Sequence, residues 1–597
     1  MSSHPTDAPS GDRHPDHSRP DHPTRRLVVV GGVAGGMSCA ARARRLDERA
    51  EIIVLERGEH VSFANCGLPY FVGGEIEQED ALLVQTPDRL RAALDLDVRP
   101  RHDVVAVDAE RHEVTVATPN GIEVLGYDAL VLAPGAKAVQ PPIRGLASSA
   151  RVRTLRSVGD AVALRAMVDE GARSAVVLGA GFIGVEAAEV LAERGLRTSL
   201  VEIADHVLPP LDYDQAWWVH EELVRLGIDV RTGVGAEEIL TADAAAGESS
   251  EVVVLSDGTR LPADLIVLSA GVRPDTAVFE SAGVACEQGA MVTDEHGRTS
   301  LPDVWAVGDA TISSCPVTGL RRPVALAGPA NRAGRLVADH IMRPELARPI
   351  PQPLGTAIVR VGRLTAAMTG ANRAILERAG VPFRTVHLHP NQHAGYYPGA
   401  AQVHLTVHLD PADGRLLGAQ GVGSDGVDKR IDVLATAMRG GLRVGDLIDL
   451  DLAYSPPYGQ AKDPVNLLGM LGSNVLDGTL ELWDAHDLDR VRDEALVLDV
   501  RTEAEVAGGM VEGALHVPHT ELRERLDDVR EAAAGRPVRV MCASGVRSAI
   551  AHRVLVQHGF DSASLSGGSL TLRAVLGARA DEVLAPPASA TTGAGRS

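Results

Sequence analysis

Two cysteines in this chain stand in settings that suit chemistry, and they lie far apart. Cys66 sits in SFANCGLPYFVGG, where Asn65 and Ser62 could hydrogen-bond a bound ligand and the helix expected after it would favour a thiolate. Cys542 opens CASGVRS, between the strand VRVM and the helix SAIAHRVLVQHG, so loop amides pointing inward would form an anion nest for a thiolate or persulfide. Arg547 of the same loop joins it as a candidate for that chemistry. A lone cysteine is more often a small buried hydrophobe, and that reading is kept for Cys39, Cys286 and Cys315. The 5 cysteines are too scattered for a disulfide scaffold or a four-ligand zinc site, and no metal is expected.

Glycine carries the second kind of chemistry. GAGFIG (Gly179, Gly181, Gly184) follows the strand SAVVL and opens the helix VEAAEVLAERG, the context a dinucleotide fingerprint requires. Gly179 permits the tight turn, Gly181 lets backbone approach a pyrophosphate, Gly184 allows close helix packing, and the helix N-terminus supplies positive potential. Glu202, at the end of the next strand, is placed to accept hydrogen bonds from an adenosine ribose, which favours NADH over NADPH. GGVAGG (Gly31 to Gly36) is a weaker copy, with Val33 at the second fingerprint position. Glu56 at the end of EIIVLE strengthens it, as does Asp309 in DVWAVGDA, which could hold a polyol hydroxyl of FAD or simply cap a helix.

These residues need a scaffold, and the pattern around them supplies one. RLVVVGG to EIIVLER and SAVVLGA to RTSLVEI are the same βαβ unit written twice, which implies two dinucleotide-binding domains. YDALVLAPGA and DVWAVGDA flank the second unit, so the second domain is expected to be inserted in the first. From 350 to 470, alternation in GTAIVRVG and AQVHLTVHLD predicts antiparallel strands, followed by a helix around RIDVLATAMRGG. Beyond that, ALVLDVR, GALHVP and VRVMCASG predict a small parallel sheet over about 480–580. Residues 1–25 and 585–597 lack periodic apolar residues and are expected to be disordered tails; weak metal binding by the N-terminal histidines is disfavoured for want of fixed geometry.

The bulk properties agree with several folded units in one chain of 597 residues. A net charge of -22 keeps the protein soluble and repels polyanions, so no nucleic-acid partner is expected. There is no apolar run of about 18 residues, and a cytoplasmic protein without a membrane span is expected.

Taken together, GGVAGGMSCAARARRL, SFANCGLPY, YDALVLAPGA, GAGFIG, DVWAVGDA and LAYSPPYGQAKDPVN resemble the single-cysteine group of pyridine nucleotide-disulfide oxidoreductases. The pattern is nearest the coenzyme A-disulfide reductases and persulfide or polysulfide reductases with a rhodanese extension. The resemblance implies an α/β chain with an FAD-binding domain in two parts (26–145 and 274–348), an NAD(P)H-binding domain (146–273), an α+β dimerisation domain (349–470) and a rhodanese domain (478–580). The last is carried by CASGVRS, LDVRTEAE and LSGGSL, with Gly509 departing from the histidine common there.

Where two-cysteine relatives carry the second thiol, this chain has Val61 or Phe71, so no internal disulfide can form and Cys66 must pair with something from outside. The resemblance names coenzyme A, with Ser62, Asn65, Arg45 and Asn331 around it. Arg45 either meets its phosphates or lies on a solvated helix face. It also implies a homodimer in which Tyr396, Tyr397, Tyr454 and Tyr458 reach the neighbour's redox cysteine; Tyr397 and Tyr458 are favoured as proton donors to a departing thiolate, against the plainer reading that tyrosines beside prolines pack. The expected activity is FAD-dependent NAD(P)H:disulfide reduction of coenzyme A disulfide, coenzyme A persulfide or polysulfide, with the rhodanese delivering sulfane sulfur. The rivals are an NADH oxidase in which Cys66 cycles through sulfenic acid, and a redox-sensing or scaffold protein without turnover.

Overall fold

A computed structural model describes residues 25–241 and 250–585, so the two tails lie outside the described residues except for Arg25 and Ala585. The chain opens with β1 (Arg26–Val30), whose Leu27, Val28 and Val29 are fully buried. An unbroken apolar run is what a central parallel strand needs, since both its faces are covered. Gly31 then turns the chain at φ +98, and a Cβ there would stand 2.0 Å from the carbonyl oxygen of Ala133. Only glycine satisfies both the left-handed backbone and that contact. The unit continues through α1 (Ala34–Leu46), β2 (Glu51–Glu56), the short α2 (Leu68–Gly73), β3 (Asp97–Pro100) and β4 (Ala129–Leu132).

The second unit comprises β5 (Val152–Arg153), β6 (Ser174–Leu178), α3 (Phe182–Glu193), β7 (Arg197–Val201), α4 (Tyr213–Arg225), β8 (Asp229–Arg231) and β9 (Leu265–Leu268). Its sheet order is β8-β7-β6-β9-β5, all parallel. The chain then returns to the first sheet with β10 (Val304–Ala306), which pairs in parallel with β4 and completes the order β10-β4-β1-β2-β3. The second nucleotide-binding unit is therefore inserted in the first, as its flanking motifs predict. The helix α5 (Ala327–Met342) follows and lies directly on α1: a Cβ at Gly334 would sit 2.0 Å from the Gly35 oxygen.

An antiparallel sheet follows, β11 (Ala357–Val361), β12 (Leu364–Gly370), β13 (Arg384–Leu388), β14 (Val403–Leu409) and β15 (Leu416–Gly423), in the order β11-β12-β15-β14-β13. Two helices, α6 (Val427–Gly440) and α7 (Pro464–Leu476), complete this domain. Last come β16 (Leu482–Trp483), β17 (Leu496–Asp499), β18 (Leu515–His516), β19 (Val538–Met541), α8 (Val546–Gln557), β20 (Ser562–Leu565) and α9 (Gly568–Leu576), with an all-parallel sheet ordered β16-β20-β19-β17-β18. Just beyond α9, Gly577 lies against Tyr213 and Trp217 of α4, so the C-terminal domain packs onto the second nucleotide-binding unit. Among the described residues no helix is long and apolar enough to cross a membrane, and no group of three or more His, Cys, Asp or Glu side chains is placed to hold a metal.

Candidate active sites

The two glycine turns are built alike. In the first, the Gly32 amide donates to Glu56 Oε2 at 2.8 Å and the Gly58 amide to its Oε1 at 2.7 Å. In the second, the Ala180 and Ala204 amides donate to Glu202 at 2.6 and 2.9 Å. Each acid thus fixes a negative charge at the end of the strand beside its turn, where an adenosine ribose would meet it. A Cβ on Gly181 would meet nothing within 4 Å, so the turn faces the open space that a pyrophosphate needs, with the amides of α3 directed at it. Gly36 and Gly184 are instead packing positions, each with its Cβ site 1.9 Å from the oxygen of Gly31 or Gly179. Asp309 lies in a turn after β10, half-buried and without a hydrogen-bond partner among the described residues, which leaves its carboxyl free to meet a ligand hydroxyl; burial raises its pKa. Both sites fit dinucleotides.

Cys66 is exposed in a single tight turn, Asn65–Gly67, and the loop carrying it is tied to the first glycine turn by the Ser62 amide bonding Gly32 O at 2.9 Å. Ser62 is held at φ 47, a strained setting for a non-glycine residue of the kind that collects at functional sites. Val61 and Phe71 are buried where a second thiol would be, and all 5 cysteines are free. The expected helix stabilisation of a thiolate needs correction. The six-residue α2 has little dipole to offer; burial first and the Glu186 carboxylate second push the Cys66 thiol above its ordinary pKa. Cys286 and Cys315 also depart from expectation, being half-buried, whereas Cys39 is fully buried.

Glu186 is the functional candidate that sequence reasoning missed. It lies on α3, the helix that opens with GAGFIG, and accepts a hydrogen bond from Tyr70 of α2 at 3.2 Å. Burial raises it to about 7, and burial with Glu186 raises Tyr70 to about 12. Glu189, one turn on, accepts the Gly362 amide at 2.7 Å and lies 3.9 Å from Arg360, which also pairs with Glu75. Two acids three residues apart, Glu186 and Glu189, within an otherwise apolar stretch of the helix were the available signal. The carboxylate of Glu186 forms near neutral pH and opposes a charge on Cys66, so removing it should favour the thiolate. Glu186→Gln is expected to move the pH profile of Cys66 alkylation by iodoacetamide to lower pH, giving roughly threefold to tenfold faster reaction somewhat above neutrality. An unchanged profile would separate the two groups.

Ser62 and Asn65 share the Cys66 loop, whereas Arg45 and Asn331 belong to the helix pair α1 and α5. Asn331 accepts from Ser38 Oγ at 2.5 Å, and exposed Arg45 donates to Ala41 O of its own helix at 3.1 Å. Tyr396, Tyr397, Tyr454 and Tyr458 form an exposed group, with the Tyr396 and Tyr454 hydroxyls 3.3 Å apart. The two loops that bear them are joined by Ala394 N to Gly459 O at 2.9 Å, and by Arg430, fully buried, which donates to Gln392 O at 2.6 Å and to Asp463 at 2.8 Å. Breaking such a buried pair costs about 3–5 kcal/mol, so these aromatic groups are presented on a rigid base.

Cys542 directly follows β19 and is buried, its sulfur accepting the Gly545 amide at 3.2 Å. The sulfur lies 3.4 Å from Ser548 Oγ, which in turn accepts from Ser564 Oγ at 2.8 Å. One loop amide, that of Gly545, thus meets the sulfur, with a pair of buried hydroxyls behind it. Arg547 at its rim is held by Glu505 through two hydrogen bonds of 2.7 and 2.6 Å, and that pairing pulls Glu505 down to about 2. Arg547 also reaches the Cys542 thiol, so its charge is shared between Glu505 and the sulfur. Gly509, the departure noted above, has φ +120 and a Cβ position 2.3 Å from the Leu584 oxygen, so no side chain fits there.

Comparison with known proteins agrees with this architecture. Residues 25–334 match the pyridine nucleotide-disulphide oxidoreductase family, 356–464 its dimerisation domain, and 481–571 the rhodanese-like domain. The chain belongs to the pyridine nucleotide-disulphide oxidoreductase family, and it is an FAD- and NAD(P)H-dependent enzyme with a C-terminal rhodanese-like domain. It is 34% identical over 449 residues to the coenzyme A disulfide reductase of Staphylococcus haemolyticus, which covers 74% of this chain and 98% of that protein. The structure of reduced Bacillus anthracis CoADR-RHD matches with a TM-score of 0.90 and 40% identity, over 94% of this chain and 99% of that one. The NAD-dependent persulfide reductase from A. fulgidus matches with a TM-score of 0.85 and 36% identity, over 92% and 99%.

Proposed function

We propose that this enzyme reduces coenzyme A disulfide and coenzyme A persulfide at Cys66, and that Cys542 carries sulfane sulfur to coenzyme A. The observation that carries the first half is the solitary, exposed thiol of Cys66 with Val61 and Phe71 buried on either side, which leaves a substrate thiol as its disulfide partner. FAD, when bound, supplies a two-electron relay from NAD(P)H to that partner bond. The Cys66 thiolate attacks one sulfur of coenzyme A disulfide, forming a mixed disulfide and expelling a coenzyme A thiolate that takes a proton. The electron pair from NAD(P)H then cleaves the mixed disulfide into the Cys66 thiolate and a second coenzyme A thiol. With coenzyme A persulfide, attack at the coenzyme A-bound sulfur gives the same mixed disulfide and releases hydrosulfide. Tyr397 and Tyr458, contributed by the partner copy of a homodimer, protonate the leaving thiolate.

At the second site the Cys542 thiolate attacks a terminal sulfane sulfur, becoming a persulfide while the donor leaves one sulfur shorter. A coenzyme A thiolate then takes the outer sulfur, regenerating Cys542. The Gly545 amide and the Ser548 hydroxyl stabilise the charged sulfur through each step. Anaerobic NADH oxidation with coenzyme A disulfide, coenzyme A persulfide and inorganic polysulfide as separate acceptors tests the scheme. Turnover with the two coenzyme A substrates supports it, whereas NADH consumption that requires oxygen and no sulfur acceptor favours a sulfenic acid cycle at Cys66.

Glu202 sets the nicotinamide preference in this scheme. Its fixed carboxylate bonds ribose hydroxyls and repels a 2′-phosphate, so NADH is expected to exceed NADPH in kcat/KM by roughly 5–150-fold, equivalent to about 1–3 kcal/mol. A preference for NADPH would overturn this assignment.

A further inference from the structure

A buried polar seam joins the reductase body to the sulfur-carrying loop. His387 lies near the end of β13 and is buried; Ser566 and Gly567 follow β20 in the rhodanese-like domain. Ser566 Oγ accepts the His387 backbone amide at 3.1 Å and lies 2.8 Å from His387 Nδ1. On the far side of the ring, Nε2 is 3.5 Å from Asp214 of α4, a carboxylate that also accepts Thr406 Oγ1 at 2.7 Å. Burial lowers the pKa of this imidazole, and in the neutral form its one N–H belongs at Nε2, facing the carboxylate. Nδ1 is then the acceptor of the Ser566 hydroxyl, so the tautomer and the serine rotamer fix one another.

The neighbouring residue completes the seam. His389 Nε2 lies 2.9 Å from Thr571 Oγ1 in α9, and its Nδ1 is 2.8 Å from His404. Between the two imidazoles lies Gly567, at φ +70, with its Cβ position 2.7 Å from His387 Cβ and 3.0 Å from His389 Nε2. The first turn of α9, which continues this loop, grips the backbone of the sulfur carrier. Ser569 N donates to Cys542 O at 2.8 Å, Leu570 N donates to Ala543 O at 3.1 Å, and a Cβ on Gly568 would sit 2.5 Å from Cys542 O. The line from Asp214 through His387, Ser566 and Ser569 to Cys542 runs through three domains without a water-exposed step.

We propose that His387 and His389 are positioning residues for Cys542, so that the reductase body builds one wall of the sulfur-transfer site and that site is complete only in the full chain. This rests on Cys542 being the sulfur carrier. Displacing a reacting sulfur by a fraction of an ångström costs turnover more than binding, because the donor meets the rim of the pocket and not the seam behind it.

The experiment uses the full-length holoenzyme, with inorganic polysulfide as donor and coenzyme A as acceptor. His387→Ala is expected to lower kcat for sulfur transfer about tenfold at near-parental KM for polysulfide, while coenzyme A disulfide reduction stays within about twofold of the parent. Ser566→Ala, a smaller change, should reproduce the loss and serves if His387→Ala binds no FAD. His387→Asn should recover most of kcat, because its Oδ1 stands where Nδ1 accepted the serine hydroxyl. Parental kcat in Ser566→Ala and in folded His387→Ala would overturn the proposal, as would equal loss in His387→Asn and His387→Ala. Cys542→Ser is the control: if it still transfers sulfur, the carrier reading itself fails, whatever the histidine variants do.

Discussion

Cys66→Ser is expected to lower reduction of coenzyme A disulfide and coenzyme A persulfide by more than about a thousandfold while leaving the enzyme yellow with FAD and bleachable by anaerobic NADH. The asymmetry follows from where the parts lie. Glu56 and Asp309 flank the first glycine turn, Glu202 and Gly181 form the second, and none of these depends on the sulfur of residue 66. Serine is nearly isosteric and fits the Asn65–Gly67 turn, yet an alcohol cannot hold a substrate sulfur as a disulfide. Flavin reduction and its spectrum therefore survive when thiol exchange does not. Full disulfide reductase activity in this variant would remove Cys66 from the mechanism, and loss of bound FAD would show that the residue is structural.

Much of this layout was legible because its causes are local. Strands such as RLVVV and SAVVL announce themselves as apolar runs, and the glycines after them are demanded by contacts within a few residues and by the returning strand, as at Gly31 against Ala133. The inserted topology could be read because β4 and β10 are both short strands ending in turns, on either side of the second unit. The CASGVRS loop was equally plain, since strand, loop and helix are contiguous.

What escaped was non-local. Glu186 looks like an ordinary helix acid until α2 lays Tyr70 on it, and its pKa near 7 comes from burial that no spacing reveals. The same packing bears on the thiol: a following helix suggested a stabilised thiolate, but burial first and the Glu186 carboxylate second outweigh what a six-residue helix offers. Arg547 was visible as a cation, while its partner Glu505 lies 42 positions earlier in the chain. His387 in β13 and His389 just after it carry no signal of their own; the docking of α9 and the Ser566 loop is what ties them to the rhodanese-like domain.

Cys542→Ser should divide the enzyme's activities cleanly: sulfur transfer from inorganic polysulfide to coenzyme A falls by more than about a thousandfold, and reduction of preformed coenzyme A disulfide continues near the parental rate. Cys542 is buried behind the Gly545 amide and the Ser548 hydroxyl, in a domain whose sheet is separate from both nucleotide-binding sheets, so its removal leaves the Cys66 loop and both glycine turns untouched. With polysulfide as the only sulfur source, hydrosulfide release should slow as well, because fusion to the reductase raises the effective concentration of persulfide delivered to Cys66, an advantage of order 10²–10⁴ that free diffusion does not replace. Mass spectrometry of the parent after brief exposure to polysulfide should find one extra sulfur on the peptide containing Cys542, and none on the serine variant. If the variant, folded and carrying FAD, lost both activities to the same extent, the two thiols would have to act as one couple, and a disulfide between Cys66 and Cys542 formed during turnover would replace the modular scheme.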